Sequence, residues 1–151
     1  MQSIETLCKV RDSIFDRNRR DVVLDISDVV ENKIDPYDFF EENYLTEGMK
    51  SLFKQVFRRF ANESDSSVFK LTQAMGGGKT HCMIGLALLA KYPEIREKVM
   101  GEGFGKNALG PVNVVVFNGR ESDAPYGIWG SIAEQVGKRE FFKDYYSPLQ
   151  A

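Results

Sequence analysis

The sequence lacks the features that mark secreted proteins, membrane-spanning proteins and strongly basic nucleic-acid-binding proteins. Its two cysteines, Cys8 and Cys82, lie far apart in 151 residues, so we expect no disulfide and a cytoplasmic, reducing location. No apolar run follows Lys9 and Arg11 as it would in a signal peptide, and none is long enough to cross a bilayer. A formal net charge of −2 gives no overall attraction to nucleic acid or to an anionic membrane.

The sequence does contain enough apolar residues for a core. It is 42% apolar and 28% charged, its length suits one domain, and it has no internal repeat. The clearest helix is predicted over 46–61, and a second over 1–21. Between them, Phe39 and Phe40 are expected to dock an acidic segment on the main body. The apolar residues that recur at helical spacing in 46–61 are Met49, Leu52, Phe53, Val56, Phe57 and Phe60.

The most informative stretch is 68–81, where a short apolar run ends at three glycines and Lys79-Thr80 opens a strongly apolar segment. This pattern predicts a strand, a tight loop and a buried helix. Glycines let backbone N–H groups turn inward around an anion, and the positive end of the helix dipole points to the same place. We expect Lys79 to contact the β- and γ-phosphates of a nucleotide and the Thr80 hydroxyl to bind Mg²⁺. The predicted nucleotide-binding residues are Gln73, Ala74, Met75, Gly76, Gly77, Gly78, Lys79, Thr80 and His81.

The loop departs from the full phosphate-loop pattern at one position. Gln73 stands five residues before Gly78, where the pattern has a glycine, and a side chain there restricts how the chain enters the loop. A chance glycine run in a structural turn is the alternative interpretation. We favour the phosphate loop, at residues 73–80, because the strand and helix character that it requires flanks it on both sides.

Downstream of the loop, the sequence predicts a helix from Pro93 to Met100, a buried parallel strand from Val112 to Phe117, and a helix that Gly137 ends. The stripe of that last helix comprises Ile128, Trp129, Ile132, Ala133 and Val136. The glycines at 101–105 are not interpreted as a second phosphate loop, because Asn107 replaces the required Ser or Thr. Arg120 and Glu121 follow the second strand, where open α/β sheets place ligand-facing groups.

The predicted fold is α/β. Residues 68–151 are expected to form an incomplete phosphate-loop NTPase domain, a parallel strand–helix–strand–helix unit. Residues 1–67 are expected to form a mostly helical N-terminal extension. Within that extension, Asp25 and Asp28 follow an apolar run but precede the loop, so Asp28 is interpreted as the cap of a short helix or turn instead of a metal ligand.

The order of these segments resembles a family of large prokaryotic AAA-like ATPases that is classified as a domain of unknown function and is often encoded beside DNA methyltransferases, helicases or other phage-defence genes. The resemblance implies ATP and Mg²⁺ as ligands, oligomer formation, and DNA or a protein as a partner through further regions. It covers the chain from about residue 20 onward. The segments that carry it are Asp35-Pro36, Phe39-Phe40, 44–48, the amphipathic helix, 73–81 and Ile128-Trp129-Gly130.

The resemblance also implies a catalytic Asp and Glu on a strand after the two strands predicted here. No apolar run ending in Asp-Glu follows Phe117, so the chain is expected to be an N-terminal fragment whose catalytic residues are unknown and which does not hydrolyse ATP at an enzyme's rate by itself. Two alternatives stay open. One is a non-catalytic interaction module with an empty loop, which the aromatic tail 138–151 would suit. The other is a small phosphoryl-transfer kinase.

Overall fold

The computed structural model describes residues 24–72, 74, 76–104, 109–119 and 127–145. Seven α-helices and one 3-10 helix lie within these ranges. They are α1 (Ser27–Val30), α2 (Pro36–Glu42), α3 (Glu47–Phe60), α4 (Lys79–Lys91), α5 (Pro93–Met100), the 3-10 helix Glu102–Phe104, α6 (Gly127–Gln135) and α7 (Arg139–Lys143). The helix predicted over 1–21 lies outside the described residues.

Helix α3 forms where its apolar spacing predicts it. The side chain of Thr46 accepts a hydrogen bond from the Met49 N–H and caps the first turn. Arg58 and Arg59 lie in the last turn, where positive charges interact favourably with the negative end of the helix dipole. The predicted helix at 46–61 is therefore confirmed to within one residue at each end. Its buried side chains are Phe53, Val56 and Phe57.

Helix α4 is the centre of the fold, because it is apolar on all sides and packs in two core clusters. One cluster contains Cys82, Leu89 and Ala90 of α4 with Phe53 and Phe57 of α3 and Ile95 of α5. The other contains Ile84, Ala87 and Leu88 of α4 with Val29 of α1 and Phe39 of α2. At 100° per residue these two sets project from opposite faces of α4. Burial of both faces explains why this helix shows no polar side.

A buried arginine joins the end of α4 to the segments that follow α5. Pro93 begins α5, as predicted. The side chain of Arg96 is fully buried, its guanidinium lies 5.1 Å from the centroid of the Phe57 ring, and burial lowers its pKa. The charge is compensated by backbone dipoles, one of them at the negative end of α4. The acceptors of the guanidinium are the carbonyl oxygens of Leu89, Phe104, Leu109 and Gly110.

The predicted α/β fold is wrong, because the described residues contain no β-strand and no sheet. The strand predicted before the glycines, described here over 68–72, and the strand predicted at 112–117 both run without a helix or a turn, and neither forms a ladder with another described segment. The segment at 112–117 instead forms hydrogen bonds with residues of α6 and α4. The side-chain amide of Gln135 accepts from the Val116 N–H and donates to the Val116 carbonyl, and the Val112 N–H donates to the Ala90 carbonyl. Its β-branched residues reflect half-burial against helices, an environment similar to that of a sheet.

Two smaller predictions, for Asp28 and for Gly137, concern the ends of helices. Asp28 does not cap α1, because it lies inside the helix and the N-cap is Ile26; its Oδ2 instead accepts from the Asp25 N–H at 3.0 Å and closes the turn that leads into α1. Gly137 lies two residues after the end of α6 and has a φ of 68°, which confirms its predicted role in ending the helix. No helix among the described residues is long and apolar enough to cross a membrane.

Candidate functional site

The glycine loop turns the chain into the first turn of α4. Gly76 has a φ of 80° and Gly78 a φ of 72°, a region in which side chains other than that of glycine are strained. The Gly77 N–H donates to the Ala74 carbonyl at 3.1 Å and closes the turn. A Cβ at Gly76 or at Gly78 would meet nothing within 4 Å, so open space lies beside both glycines. Conformation, and not crowding, therefore requires glycine at these two positions.

The N-terminus of α4 has no capping side chain. Its first backbone hydrogen bond is donated by the Cys82 N–H to the Gly78 carbonyl, at 2.9 Å. The amides of the first turn have no acceptor within the helix, the N-cap glycine has no side chain to offer them, and the first turn contains no acidic residue. A set of N–H donors at the positive end of a helix dipole, next to a glycine turn, fits an oxygen-rich anion such as phosphate.

Lys79 supplies the positive charge of the site. Its side chain is half-buried, and its Nζ donates to the Ala74 carbonyl at 2.9 Å, five residues earlier in the chain. The side chain therefore folds back over the glycine turn. An ammonium group has three donors, so Lys79 can keep this bond while it donates to a phosphate oxygen.

Thr80 and His81 complete the first turn of α4 in different ways. Thr80 is exposed, so its hydroxyl is accessible to a ligand. The imidazole of His81 packs on the Phe39 ring, with 4.8 Å between centroids and a tilt of 31°, so His81 contributes its backbone to the site and its side chain to the core. Among the described residues no group of three or more His, Cys, Asp or Glu side chains is arranged to hold a metal ion. A Mg²⁺ ion here would depend on Thr80, phosphate oxygens and water, a ligand set that this ion commonly accepts.

The structure brings seven of the nine predicted binding residues into this loop and first turn: Ala74, Gly76, Gly77, Gly78, Lys79, Thr80 and His81. Gln73 and Met75 lie outside the described residues, as do Arg120 and Glu121. Gly101 and Gly103 do not resemble the site, and Gly105 lies outside the described residues. Gly101, with a φ of 101°, forms the C-cap of α5 and leads into the 3-10 helix.

The other chemically reactive or charged side chains on α4 have structural roles. Burial raises the pKa of the Cys82 thiol, which keeps it protonated and unreactive. At the far end of the helix, Lys91 Nζ donates at 2.7 Å both to the Val29 carbonyl and to Asn32 Oδ1, and burial lowers its pKa. A cavity of about 470 Å³ between Lys91, the chain at 111–115 and Gln135 contains no residue of the glycine loop.

The sequence did not predict the role of Arg96, whose backbone acceptors leave no signature in the amino-acid sequence, or the contact of Phe39 with His81.

A comparison with protein-family models matches residues 2–148 to the DUF499 N-terminal domain. No curated protein and no solved structure matches the chain.

Proposed function

This chain belongs to the DUF499 N-terminal domain family, and we propose that its glycine loop and the first turn of α4 bind the phosphates of a magnesium nucleotide, ATP in the first instance. The observation that supports the proposal most directly is the start of α4. A buried helix begins at a glycine of positive φ, has no capping side chain, and places a lysine at its first position. The lack of a capping side chain and the lysine at the positive end of the dipole are both unfavourable in an isolated helix, and an anion at this end would offset both.

Each residue of the site has a separate task in this proposal. Gly76 and Gly78 permit the turn, and the backbone amides at the start of α4 donate to phosphate oxygens. Lys79 neutralises charge on the terminal phosphates and stays fixed through its bond to the Ala74 carbonyl. The Thr80 hydroxyl contributes one ligand to Mg²⁺, which supplies charge neutralisation at the phosphates when it is bound. The described residues provide positioning and charge, which are the main components of phosphoryl-transfer sites.

The first test is thermal unfolding with and without Mg-ATP, together with the Lys79→Ala variant. A ligand at about 100 times its Kd adds about 2.7 kcal/mol to the free energy of unfolding. Removal of the lysine is expected to weaken binding by roughly tenfold to a hundredfold, because a charge-assisted hydrogen bond contributes about 1.5–3 kcal/mol.

The matched control is Lys54→Ala, which removes the same charge from an exposed position on α3 and is expected to leave the Kd unchanged. Two results would contradict the proposal. One is a melting curve of the wild-type chain that millimolar Mg-ATP, Mg-ADP and Mg-GTP all leave unchanged. The other is equal loss of affinity in the Lys79 and Lys54 variants.

A finer proposal concerns the whole protein. We propose that the chain is the nucleotide-binding portion of an AAA-like ATPase that works with DNA or with DNA-modifying and defence proteins. The support is the sequence resemblance of 44–48, 73–81 and Ile128-Trp129-Gly130. Turnover of ATP by 1–151, with and without duplex DNA, tests it. Little turnover is expected from this chain alone, since the first turn of α4 contains no acidic residue and no described group of His, Cys, Asp and Glu side chains is arranged to hold a metal ion.

One observation favours the second candidate function, an interaction module. Large aromatic side chains are exposed on α6, on α7 and just after α7: Trp129 is 66%, Phe141 65% and Tyr145 71% accessible. Exposed apolar patches of this kind are typical of protein-binding surfaces. Nucleotide binding separates the two candidates, because an interaction module with an empty loop would show no response to Mg-ATP.

A further inference from the structure

The first turn of α4 needs a source of rigidity other than a cap. A capping side chain stabilises a helix start by using its amide donors, whereas a phosphate site must keep those donors for the ligand. Helix α4 has no capping side chain at Gly78. Besides the bonds of Gly77 and Lys79 to the Ala74 carbonyl, side-chain packing on a neighbouring element can hold this turn without using those donors.

The only aromatic contact of that first turn among the described residues is with Phe39 of α2. The Phe39 ring is 4% exposed and lies 4.8 Å from the His81 imidazole. It also approaches the next turn of the same face, since a Cβ built on Gly85 would lie 3.4 Å from Phe39 Cε1, with Phe53 Cζ at 3.3 Å and Phe40 Cε1 at 3.8 Å. His81 and Gly85 are four residues apart, so one ring spans the first two turns of α4.

Helix α2 is itself held firmly enough to act as a support. Asp35 caps it by accepting from the amides of Tyr37 and Asp38, and Pro36 occupies its first position. The Phe40 ring meets Phe39 edge-on at 5.1 Å and 84°. The contact with His81 thus connects a capped helix to an uncapped one.

We propose that Phe39 is a positioning residue for the phosphate site, which acts through His81 to fix the first turn of α4 without using its amide donors. This inference rests on the proposed nucleotide binding and adds a residue of the N-terminal segment to it. Phe39 touches no ligand in this proposal. Its effect is to reduce the conformational freedom that the loop must lose when phosphate binds.

The test measures the Kd of Mg-ATP by calorimetry for Phe39→Leu and for the matched control Phe40→Leu. Both variants lose one ring from α2, but only Phe39 contacts His81. Phe39→Leu is expected to raise the Kd about two- to tenfold, the range that corresponds to loss of one aromatic pair. Phe40→Leu is expected to change it by less than twofold.

A double-mutant cycle with His81→Ala separates positioning from general destabilisation. If Phe39 acts through His81, then His81→Ala raises the Kd by a similar factor and Phe39→Leu adds nothing in that background. His81 is also the single histidine of the chain, so its imidazole resonances report directly on loss of the neighbouring ring in Phe39→Leu.

Three outcomes would overturn the inference while wild-type binding persists. They are equal affinities for the Phe39 and Phe40 variants, additive effects of Phe39→Leu and His81→Ala, or unchanged affinity in His81→Ala. The last remains measurable if Phe39→Leu fails to fold, because His81 is only half-buried. Failure of the wild-type chain to bind Mg-ATP would instead contradict the proposed function, so the two failures are distinguishable.

Discussion

Helices α2 and α4 begin in opposite ways, although their side chains pack against each other. The start of α2 is complete in itself: the Asp35 carboxylate accepts from the amides of Tyr37 at 2.8 Å and Asp38 at 3.0 Å, and Asp38 adds a favourable negative charge. The start of α4 has Gly78 in the left-handed region and the cation Lys79, which opposes the helix dipole. The start of α2 is thus stabilised by its own chain, whereas in the function proposed above an external anion completes the start of α4.

The strongest way to break this comparison is to give α4 a carboxylate. Gly78→Asp is expected to lower the affinity for Mg-ATP by about a hundredfold or more, because like charges at close range cost several kcal/mol. Calorimetric titration measures the effect. The control is Gly78→Asn, which makes the same demand on φ without the charge, and Asn tolerates this region about as well as Asp. Equal losses in the two variants would show that charge does not distinguish the two helix starts.

The converse change removes the cap from α2. Asp35→Ala is expected to lower the free energy of unfolding by about 1 kcal/mol, and up to about 2, because two helix amides lose their acceptor. Urea denaturation measures the loss. The Kd of Mg-ATP for the folded protein should change by less than twofold, because Phe39 keeps its contact with His81 wherever α2 is folded. Asp35→Asn keeps a good capping group and should retain most of the stability. If Asp35→Ala reduced the free energy of nucleotide binding more than the free energy of unfolding, the assignment of stability to the start of α2 and of ligand binding to the start of α4 would be wrong.

The smallest expected effect sharpens the comparison at the start of α3. Lys50 Nζ donates to Glu47 Oε1 at 2.8 Å and holds the pKa of the Glu47 carboxyl below its usual value. A depressed pKa in the folded state means that this carboxylate stabilises the fold above its usual pKa, about 4.3, and loses the effect as the pH falls through the lowered value.

Glu47→Gln is therefore expected to reduce the urea midpoint slightly at pH 7, and the difference from wild type should shrink as the pH falls below 4. The effect is small because the pair is exposed to solvent. Parallel urea titrations at pH 7 and below pH 4 measure it. A difference that grew on acidification would show that the expected sign of the Glu47 contribution to stability is wrong.

The helices that have local sequence signals were predictable, whereas the absence of strand pairing in the two apolar segments was not. The spacing of apolar residues in α3 and the proline that begins α5 act within a few residues of the chain, and both helices form as predicted. The segment at 112–117 has apolar, β-branched composition, which here reflects half-burial against helices and not strand pairing. The segment at 68–72 has a similar composition but is mostly exposed, with Val68 86% accessible. The bonding partner of 112–117 is decided by distant residues, and Gln135 is 19 residues from the backbone that it bonds.

The candidate site was predictable to the extent that it is continuous in sequence. Glycines followed by Lys79 and Thr80 are adjacent in the chain, so the pattern could place the turn and the helix start together. Docking of Phe39 on the body was predicted and the ring is buried, but its contact with His81 joins residues 42 positions apart and has no periodic signal. Apolar residues are interchangeable in such patterns, so the pattern cannot say which ring meets which.

The buried guanidinium of Arg96 has a consequence for which sequence changes this fold tolerates. Every residue type carries a carbonyl, so the positions that accept from Arg96 can vary in side chain without loss of an acceptor. A change in the length of the segment between α5 and residue 110 would instead move several acceptors at once. Lysine cannot substitute, because its three donors lack the planar spread of the guanidinium. Arg96 therefore constrains the route of the chain around it and leaves the composition of that route free.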